Sequence, residues 1–466
     1  MKKNTIGLMG LGTMGGNLAR NIASKGFSIS LFNRHPEKVD AFLKTHQEKN
    51  LYGYHDLAQF VDSLERPRKI ILMVPAGAPV DETLTQLVDF LKPGDIVIDG
   101  GNSYFKDTIR RQEALKRANI HFIGAGVSGG EEGALKGPSI MIGGEKSACK
   151  EVAPILKKIA AKDFVGGTCG GYMGAGGAGH YVKMIHNGIE YAIMQMIAES
   201  YSLLKTHYKL SNELIAEFFE ACNDGKLNGY LVEIVPGVLR KRDGKKYLVD
   251  LILDSAKNKG TGKWTSQEAL DVGIPLSSIT QAVFARYLST DKKLRTELAK
   301  VSPRKATKPG IPLETFLQNL EDALHGAFLM AYAEGLHLLQ KADKEYGFKL
   351  DMGEAIRVWQ GGCIIRSKLL KDLTEAKNEI AKSHFLMSKT AAKKLASVEK
   401  AWTAVLQESL SARIPTPALT AAMQYYQSMT SAQLPANLIQ GMRDFFGAHT
   451  YERTDKPGIF HADWNS

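Results

Sequence analysis

Cysteine is scarce: four residues in 466, Cys149, Cys169, Cys222 and Cys363, all far apart. No C-x-x-C pair or Cys/His cluster joins them, so neither a disulfide framework nor a metal site is expected, and a reducing cytoplasm is the expected compartment. Long apolar runs are missing too; none approaches the roughly 18–20 residues that cross a bilayer. The stretch after Met1-Lys2-Lys3 is broken by Gly7, Gly10 and Gly12, which argues against a secretory leader. The net charge is +11, yet no basic run exceeds Arg240-Lys241-Arg242. Dispersed charge of this kind disfavours nucleic acid and favours a small anionic ligand. Short-period repeats and low-complexity tracts are also lacking. What remains is a globular composition, 44% hydrophobic and 23% charged, on a chain long enough for two or three domains.

The N-terminal part reads as a doubly wound α/β domain of Rossmann type. Thr5–Met9 is a short apolar strand, Gly10-Leu11-Gly12-Thr13-Met14-Gly15 follows at once, and Asn17–Lys25 is helical. This is G-x-G-x-x-G between strand and helix: a tight turn, a close backbone approach for pyrophosphate, and close helix–strand packing. The helix N-terminus adds free N–H groups for the phosphates. The next strand, Phe27–Phe32, ends in Asn33-Arg34-His35 and lacks the acidic residue that holds the ribose of NAD. A missing acid and an added guanidinium both favour NADP; alone, Arg34 is equally a solvated loop cation. Strands at 69–74 and 96–99 lead into Val74-Pro75-Ala76 and Gly100-Gly101-Asn102-Ser103, at the carboxyl ends where ligands bind in such sheets. The strand at 121–125 leads to Ser128-Gly129-Gly130, whose hydroxyl and open amides suit a carboxylate or sugar hydroxyl, or simply a tight turn. A Gly-rich stretch at 166–177 reads as a connector, so the first domain is taken as residues 1–177.

Residues 178–434 then read as all-α, and 435–466 as an aromatic, loop-like tail. Long helices are expected at 210–223, 233–240, 277–288, 313–343, 352–373, 391–410 and 417–429, with a shorter one at 266–270. The stretch Gly179–Tyr191 places Lys183, Asn187 and Glu190 on one side of two helical turns. Its continuation is apolar nearly all round, the mark of a buried helix. A buried Lys and Glu are either a satisfied internal pair or a catalytic base and acid. Asn258–Trp264 is not a Walker loop, yet it offers Lys, Thr and Gly amides to a phosphate, and Arg286 could join it; alone, each cation is equally a solvated surface charge.

Taken together, the Gly-rich turn, Asp99–Ser103, Gly126–Gly130, Lys183–Tyr191, Lys259–Trp264 and Arg443–Glu452 resemble the decarboxylating 6-phosphogluconate dehydrogenases along essentially the whole chain. The resemblance implies NADP as cofactor and a homodimer in which each tail enters the other subunit. It implies Asn102, Ser128, Gly129, Gly130, His186 and Asn187 around the sugar acid. Tyr191, Lys259, Arg286 and Arg443 would surround its phosphate, with His449 also at the substrate. Lys183 is then the expected base and Glu190 the acid that protonates the enediol. Pro75 departs from the Lys common there, and Lys257 stands where a small residue is usual. A dehydrogenase for an unphosphorylated β-hydroxyacid and a non-catalytic NADP-binding regulator are the alternatives.

Overall fold

The computed structural model describes residues 3–257, 260–303 and 307–464. Its N-terminal part is an eight-stranded sheet: β1 (Ile6–Met9), β2 (Ile29–Phe32), β3 (Leu51–Tyr54), β4 (Lys69–Leu72), β5 (Ile96–Asp99), β6 (His121–Ser128), β7 (Ser139–Gly143) and β8 (Gly170–Gly174). The spatial order is β3-β2-β1-β4-β5-β6-β7-β8. The first six strands run parallel. β7 turns back antiparallel to β6, and β8 pairs parallel with β7. Strands such as Ile6-Gly7-Leu8-Met9 are buried at every position, as a sheet covered by helices on both faces requires. Strand order reverses on either side of β1, and the crevice between β1 and β4 is the place such a sheet opens for a ligand.

Two elements here escaped the sequence. β3, Leu51-Tyr52-Gly53-Tyr54, is an edge strand with two exposed residues and a central glycine, so no buried apolar run marks it. β8 lies inside the stretch taken for a connector. Glycine-rich backbone can enter a sheet where bulky neighbours leave no room for side chains: a Cβ on Gly171 would lie 2.2 Å from Glu354 Oε1.

The second part is helical and is built around the helix Ala178–Ser202, buried along most of its 25 residues. It lies directly on the sheet because glycines face each other at the contact. A Cβ on Gly143 would come within 2.1 Å of Gly179 N, and one on Gly126 within 2.3 Å of Lys183 Cβ. Around it pack Leu313–Tyr346, Ser277–Thr290 and Pro417–Met429, with Lys389–Ser411 laid against Leu313–Tyr346; all four are close to their expected bounds. The helix expected over 352–373 is instead two, Met352–Val358 and Leu370–Glu375. It breaks at Gly361-Gly362, where Gly362 takes φ +65° and sits against Gly137 O. The expected 233–240 helix also divides, into Tyr230–Glu233 and Val235–Arg240, and Lys292–Val301 is an additional helix. The tail is more ordered than expected: Ala436–Gly447 is a helix, followed by a small hairpin of Tyr451–Glu452 with Ile459–Phe460. Among the described residues no helix is long and apolar enough to cross a membrane.

Candidate functional site

The carboxyl ends of β1, β2 and β4 form a groove of about 350 Å³ lined by Gly10, Leu11, Gly12, Asn33, Arg34, His35, Val74 and Pro75, with Ala76 next in the loop. The three glycines of the turn have three separate reasons. Gly10 has φ +102°, and a Cβ there would lie 2.5 Å from Met73 O. A Cβ on Gly15 would strike Gly10 O at 2.0 Å, so only glycine lets Thr13–Ser24 pack on β1. Gly12 is the opposite case: a Cβ there would meet no protein atom within 4 Å. Its open face, at the helix N-cap, fits a pyrophosphate. Thr13 and Met14 open that helix.

Asn33 already has partners within the chain. Its Oδ1 accepts from Leu11 N at 3.2 Å and its Nδ2 donates to His35 O at 3.2 Å, so it braces the glycine turn. Arg34 is exposed and forms no hydrogen bond or ion pair within the described chain. Lys38, on the first turn of the helix Pro36–Thr45, lines the same groove. Sequence reasoning passed over Lys38, and its nearness to Arg34 after a strand end was the available signal. An open glycine cradle with two free cations beside it fits a dinucleotide carrying an extra phosphate.

The loop after β5 adjoins this groove. A Cβ on Gly101 would sit 3.2 Å from Val74 O, and Asn102 is exposed with its amide unengaged. The loop is held from below by Asp99, which accepts from Ser103 Oγ at 2.6 Å and Gly101 N at 3.0 Å.

The central helix delivers its polar stripe to the same edge. Lys183 Nζ donates to Asn187 Oδ1 at 2.8 Å and lies 3.2 Å from His186 Nδ1. His186 Nε2 is 3.0 Å from Ser128 Oγ at the end of β6, and its Nδ1 is 3.0 Å from Asn187 Oδ1. One assignment satisfies both ring nitrogens: Nδ1–H donates to Asn187, and Nε2 accepts the Ser128 hydroxyl. Gly129 and Gly130, at φ +113° and +62°, then turn the chain away from Ser128 into the short helix Gly130–Lys136.

Lys183 and Glu190 form no ion pair among the described residues; the nearest partner of the Glu190 carboxylate is His186 Nδ1 at 3.8 Å. The internal-pair alternative therefore fails. Burial pulls the Lys183 ammonium down to about 8, against the opposing pull of Glu190. Burial pushes the Glu190 carboxyl up, although Lys183 and Arg286 oppose it. Burial and the neighbouring Lys183 hold His186 well below its usual value, so it is a neutral imidazole. A lysine eased toward neutrality and a carboxyl eased toward protonation, two helical turns apart, can exchange protons in opposite directions. Cys363, fully buried behind them and donating to Trp359 O at 3.1 Å, has its thiol pushed up to about 12 by burial. It is a packing group there.

Directly after Glu190, Tyr191 carries Arg286 stacked on its ring, the guanidinium carbon 3.8 Å from the centroid. Arg286 also donates to Lys257 O at 3.3 Å. A Cβ on Gly262 would lie 2.6 Å from the Tyr191 ring, so the start of the helix Thr261–Asp271 presses on the same corner. Lys259 falls outside the described residues. Arg443 and His449 are not brought to this site by their own chain: both are exposed on the tail, where Arg443 donates to Gln440 Oε1 at 3.0 Å.

Comparison with known proteins follows the same lines. The NAD binding domain of 6-phosphogluconate dehydrogenase matches residues 5–174, and the C-terminal domain of 6-phosphogluconate dehydrogenase matches residues 179–464. The chain is 49% identical over 466 residues to the decarboxylating 6-phosphogluconate dehydrogenase of Salmonella typhimurium, covering 100% of both chains. It is 47% identical, again over 100% of both, to the NADP(+)-dependent, decarboxylating enzyme of Bacillus subtilis. The solved 6-phosphogluconate dehydrogenase of Plasmodium falciparum, studied in apo form and with NADP+ or 6-phosphogluconate, superposes with a TM-score of 0.95 at 40% identity, over 99% of this chain and 100% of that one. The chain belongs to the family of decarboxylating 6-phosphogluconate dehydrogenases.

Proposed function

We infer that the chain oxidises and decarboxylates 6-phosphogluconate to ribulose 5-phosphate and carbon dioxide with reduction of NADP, the oxidative step of the pentose phosphate pathway, and that Lys183 and Glu190 carry its proton transfers. The observation that supports this most is the buried, unpaired Lys183, 2.8 Å from Asn187 and drawn down to about 8.

Gly10, Gly12 and Gly15 cradle the NADP pyrophosphate, with Arg34 and Lys38 at the extra phosphate and Val74, Pro75 and Ala76 along the dinucleotide. When bound, NADP supplies the hydride acceptor. Neutral Lys183 takes the substrate hydroxyl proton as the secondary alcohol becomes a ketone. That ketone lies β to the carboxylate, so the carbon–carboxylate bond breaks and its electron pair moves to the ketone oxygen. Lys183 returns its proton to that oxygen, giving an enediol. Glu190, protonated, gives its proton to the enediol carbon while Lys183 takes back the proton of the enol hydroxyl, and the ketose product forms. Asn102, Ser128, Gly129, Gly130, His186 and Asn187 orient the sugar acid, while Tyr191, Lys259 and Arg286 anchor the phosphate away from the reacting carbons.

The tail supports a dimer in which Arg443 and His449 complete the partner's phosphate end. Its helix leaves Leu438 67%, Phe445 58% and Phe446 72% exposed, more apolar surface than an isolated surface helix carries without a partner. On this reading residues 1–177 bind cofactor, 178–434 bind substrate and 435–466 reach across, in a cytoplasmic enzyme whose four thiols are all free and buried.

Lys183→Met and Glu190→Gln are the direct test. Each variant is expected to fold and bind NADP yet lose roughly 10²-fold or more in kcat, the range of a removed general acid or base. Near-normal turnover by either variant removes the role assigned to that residue.

A further inference from the structure

One residue of the tail is unlike its neighbours. Asp444 sits on the exposed helix Ala436–Gly447, yet is 0% exposed. Its two oxygens accept four hydrogen bonds from the segment that follows. Oδ1 accepts from Thr450 N at 2.8 Å and His461 Nδ1 at 2.9 Å. Oδ2 accepts from Ala462 N at 3.1 Å and Trp464 Nε1 at 2.8 Å. Between the helix and these anchors lies the turn that carries His449. That turn is strained: Ala448 and Thr450, flanking His449, have φ +49° and +59° without being glycine. Such conformations persist only where surrounding contacts hold them. Ala448 N donates to Asp444 O at 2.9 Å and Thr450 N to the Asp444 carboxylate, so both flanks are held by this one residue.

We propose that Asp444 is a positioning residue for substrate binding: its carboxylate folds the tail in advance, so that Arg443 and His449 reach the partner's site already in their binding arrangement. This rests on the reading of the tail given above. The apolar helix face supplies docking, and Asp444, fully enclosed, adds nothing to that face. Its contribution is preorganisation, which lowers the ordering cost otherwise taken from substrate affinity.

The test compares Asp444→Ala, Asp444→Asn and Arg443→Ala in the full-length protein, measuring KM for 6-phosphogluconate, KM for NADP, kcat and dimerisation by analytical ultracentrifugation. Displacing binding groups by about 1 Å costs up to about 10²-fold. Asp444→Ala is expected to raise KM for 6-phosphogluconate by about tenfold or more, with KM for NADP unchanged and the dimer intact. Asp444→Asn turns an amide toward the donors of Ala462 and Trp464 and is expected to fall between wild type and Asp444→Ala; it decides the matter if Asp444→Ala does not assemble. Arg443→Ala raising KM while both Asp444 variants leave it unchanged overturns the proposal and keeps the tail reading. Arg443→Ala with an unchanged KM overturns the tail reading and the proposal with it. Loss of the dimer in both Asp444 variants makes Asp444 an assembly residue and also overturns the proposal.

Discussion

At the scale of single residues, the account turns on how burial moves two protons. Lys183 must be neutral to accept, and its depressed value near 8 makes the base form grow as pH rises through that point. kcat/KM, which reports the free enzyme, is expected to rise with pH along a limb centred near 8 and to level off above it. A limb near 10.5, the ordinary lysine value, would show that burial does not tune this group. Arg34 makes a separate prediction. With no partner of its own, it is free for the extra phosphate of NADP, a charge-assisted contact worth about 1.5–3 kcal/mol. Arg34→Ala should therefore raise KM for NADP by roughly 10- to 100-fold while barely changing KM for NAD; equal effects on both would make Arg34 a bystander. Lys183, Asn187, Glu190 and the glycine turn were legible in the sequence because spacing alone puts them on one side of a helix or into one turn. Asn33 was only half legible: its position beside the glycine turn could be read, but not that its amide braces Leu11 and His35. Side-chain geometry decides that, and residue order does not carry it.

At the scale of elements, two buried glutamates hold helix starts across the helical domain. Glu199, on the central helix, accepts from Ala418 N and Leu419 N at 2.9 Å each. Glu334, on Leu313–Tyr346, accepts from Ser278 N at 2.9 Å and Ile279 N at 3.2 Å. The two capped starts, Ile274-Pro275-Leu276-Ser277-Ser278-Ile279-Thr280 and Ile414-Pro415-Thr416-Pro417-Ala418-Leu419-Thr420, have the same pattern. Each glutamate follows an alanine and caps the helix of the other half. The helical domain is thus a doubled unit, with a period too long for a search over short repeats to find. Burial raises both carboxyls to about 7, against the pull of the amide donors. A carboxyl raised above its unfolded value of 4.5 takes up a proton on folding. Its stabilising contribution is complete below pH 4.5 and is lost as pH rises through 7. Glu334→Gln should flatten the fall in Tm between pH 5 and 8. Glu334→Ala leaves two amides unmet and should cost about 2–4 kcal/mol in denaturant unfolding. A Glu334→Gln protein with the wild-type slope would place the pH dependence elsewhere. Long helices were legible from apolar period; β8, the break at Gly361-Gly362 and the tail helix were not. In the first two, glycine answers to a tertiary neighbour, Glu354 or Gly137. The tail helix Ala436–Gly447 is short, contains Gly441 and ends in two phenylalanines and Gly447, and the contacts that order it, those of Asp444 with the following segment, are not carried by residue order.

At the scale of the whole molecule, the sheet edge and the central helix form one end of the site, and Tyr191, Arg286 and the start of Thr261–Asp271 form the other. Three of the dispersed cations stand at the candidate site, Arg34 and Lys38 in the groove and Arg286 beside Tyr191, and on the proposed reading they meet the phosphates of cofactor and substrate. The most direct test is reduced-nicotinamide formation by the purified protein, with carbon dioxide measured alongside, comparing 6-phosphogluconate with unphosphorylated gluconate and NADP with NAD. The account predicts equal amounts of NADPH and carbon dioxide, turnover that needs the phosphorylated acid, and a marked preference for NADP. Comparable turnover of gluconate, or NADP binding with no turnover of either acid, would contradict it.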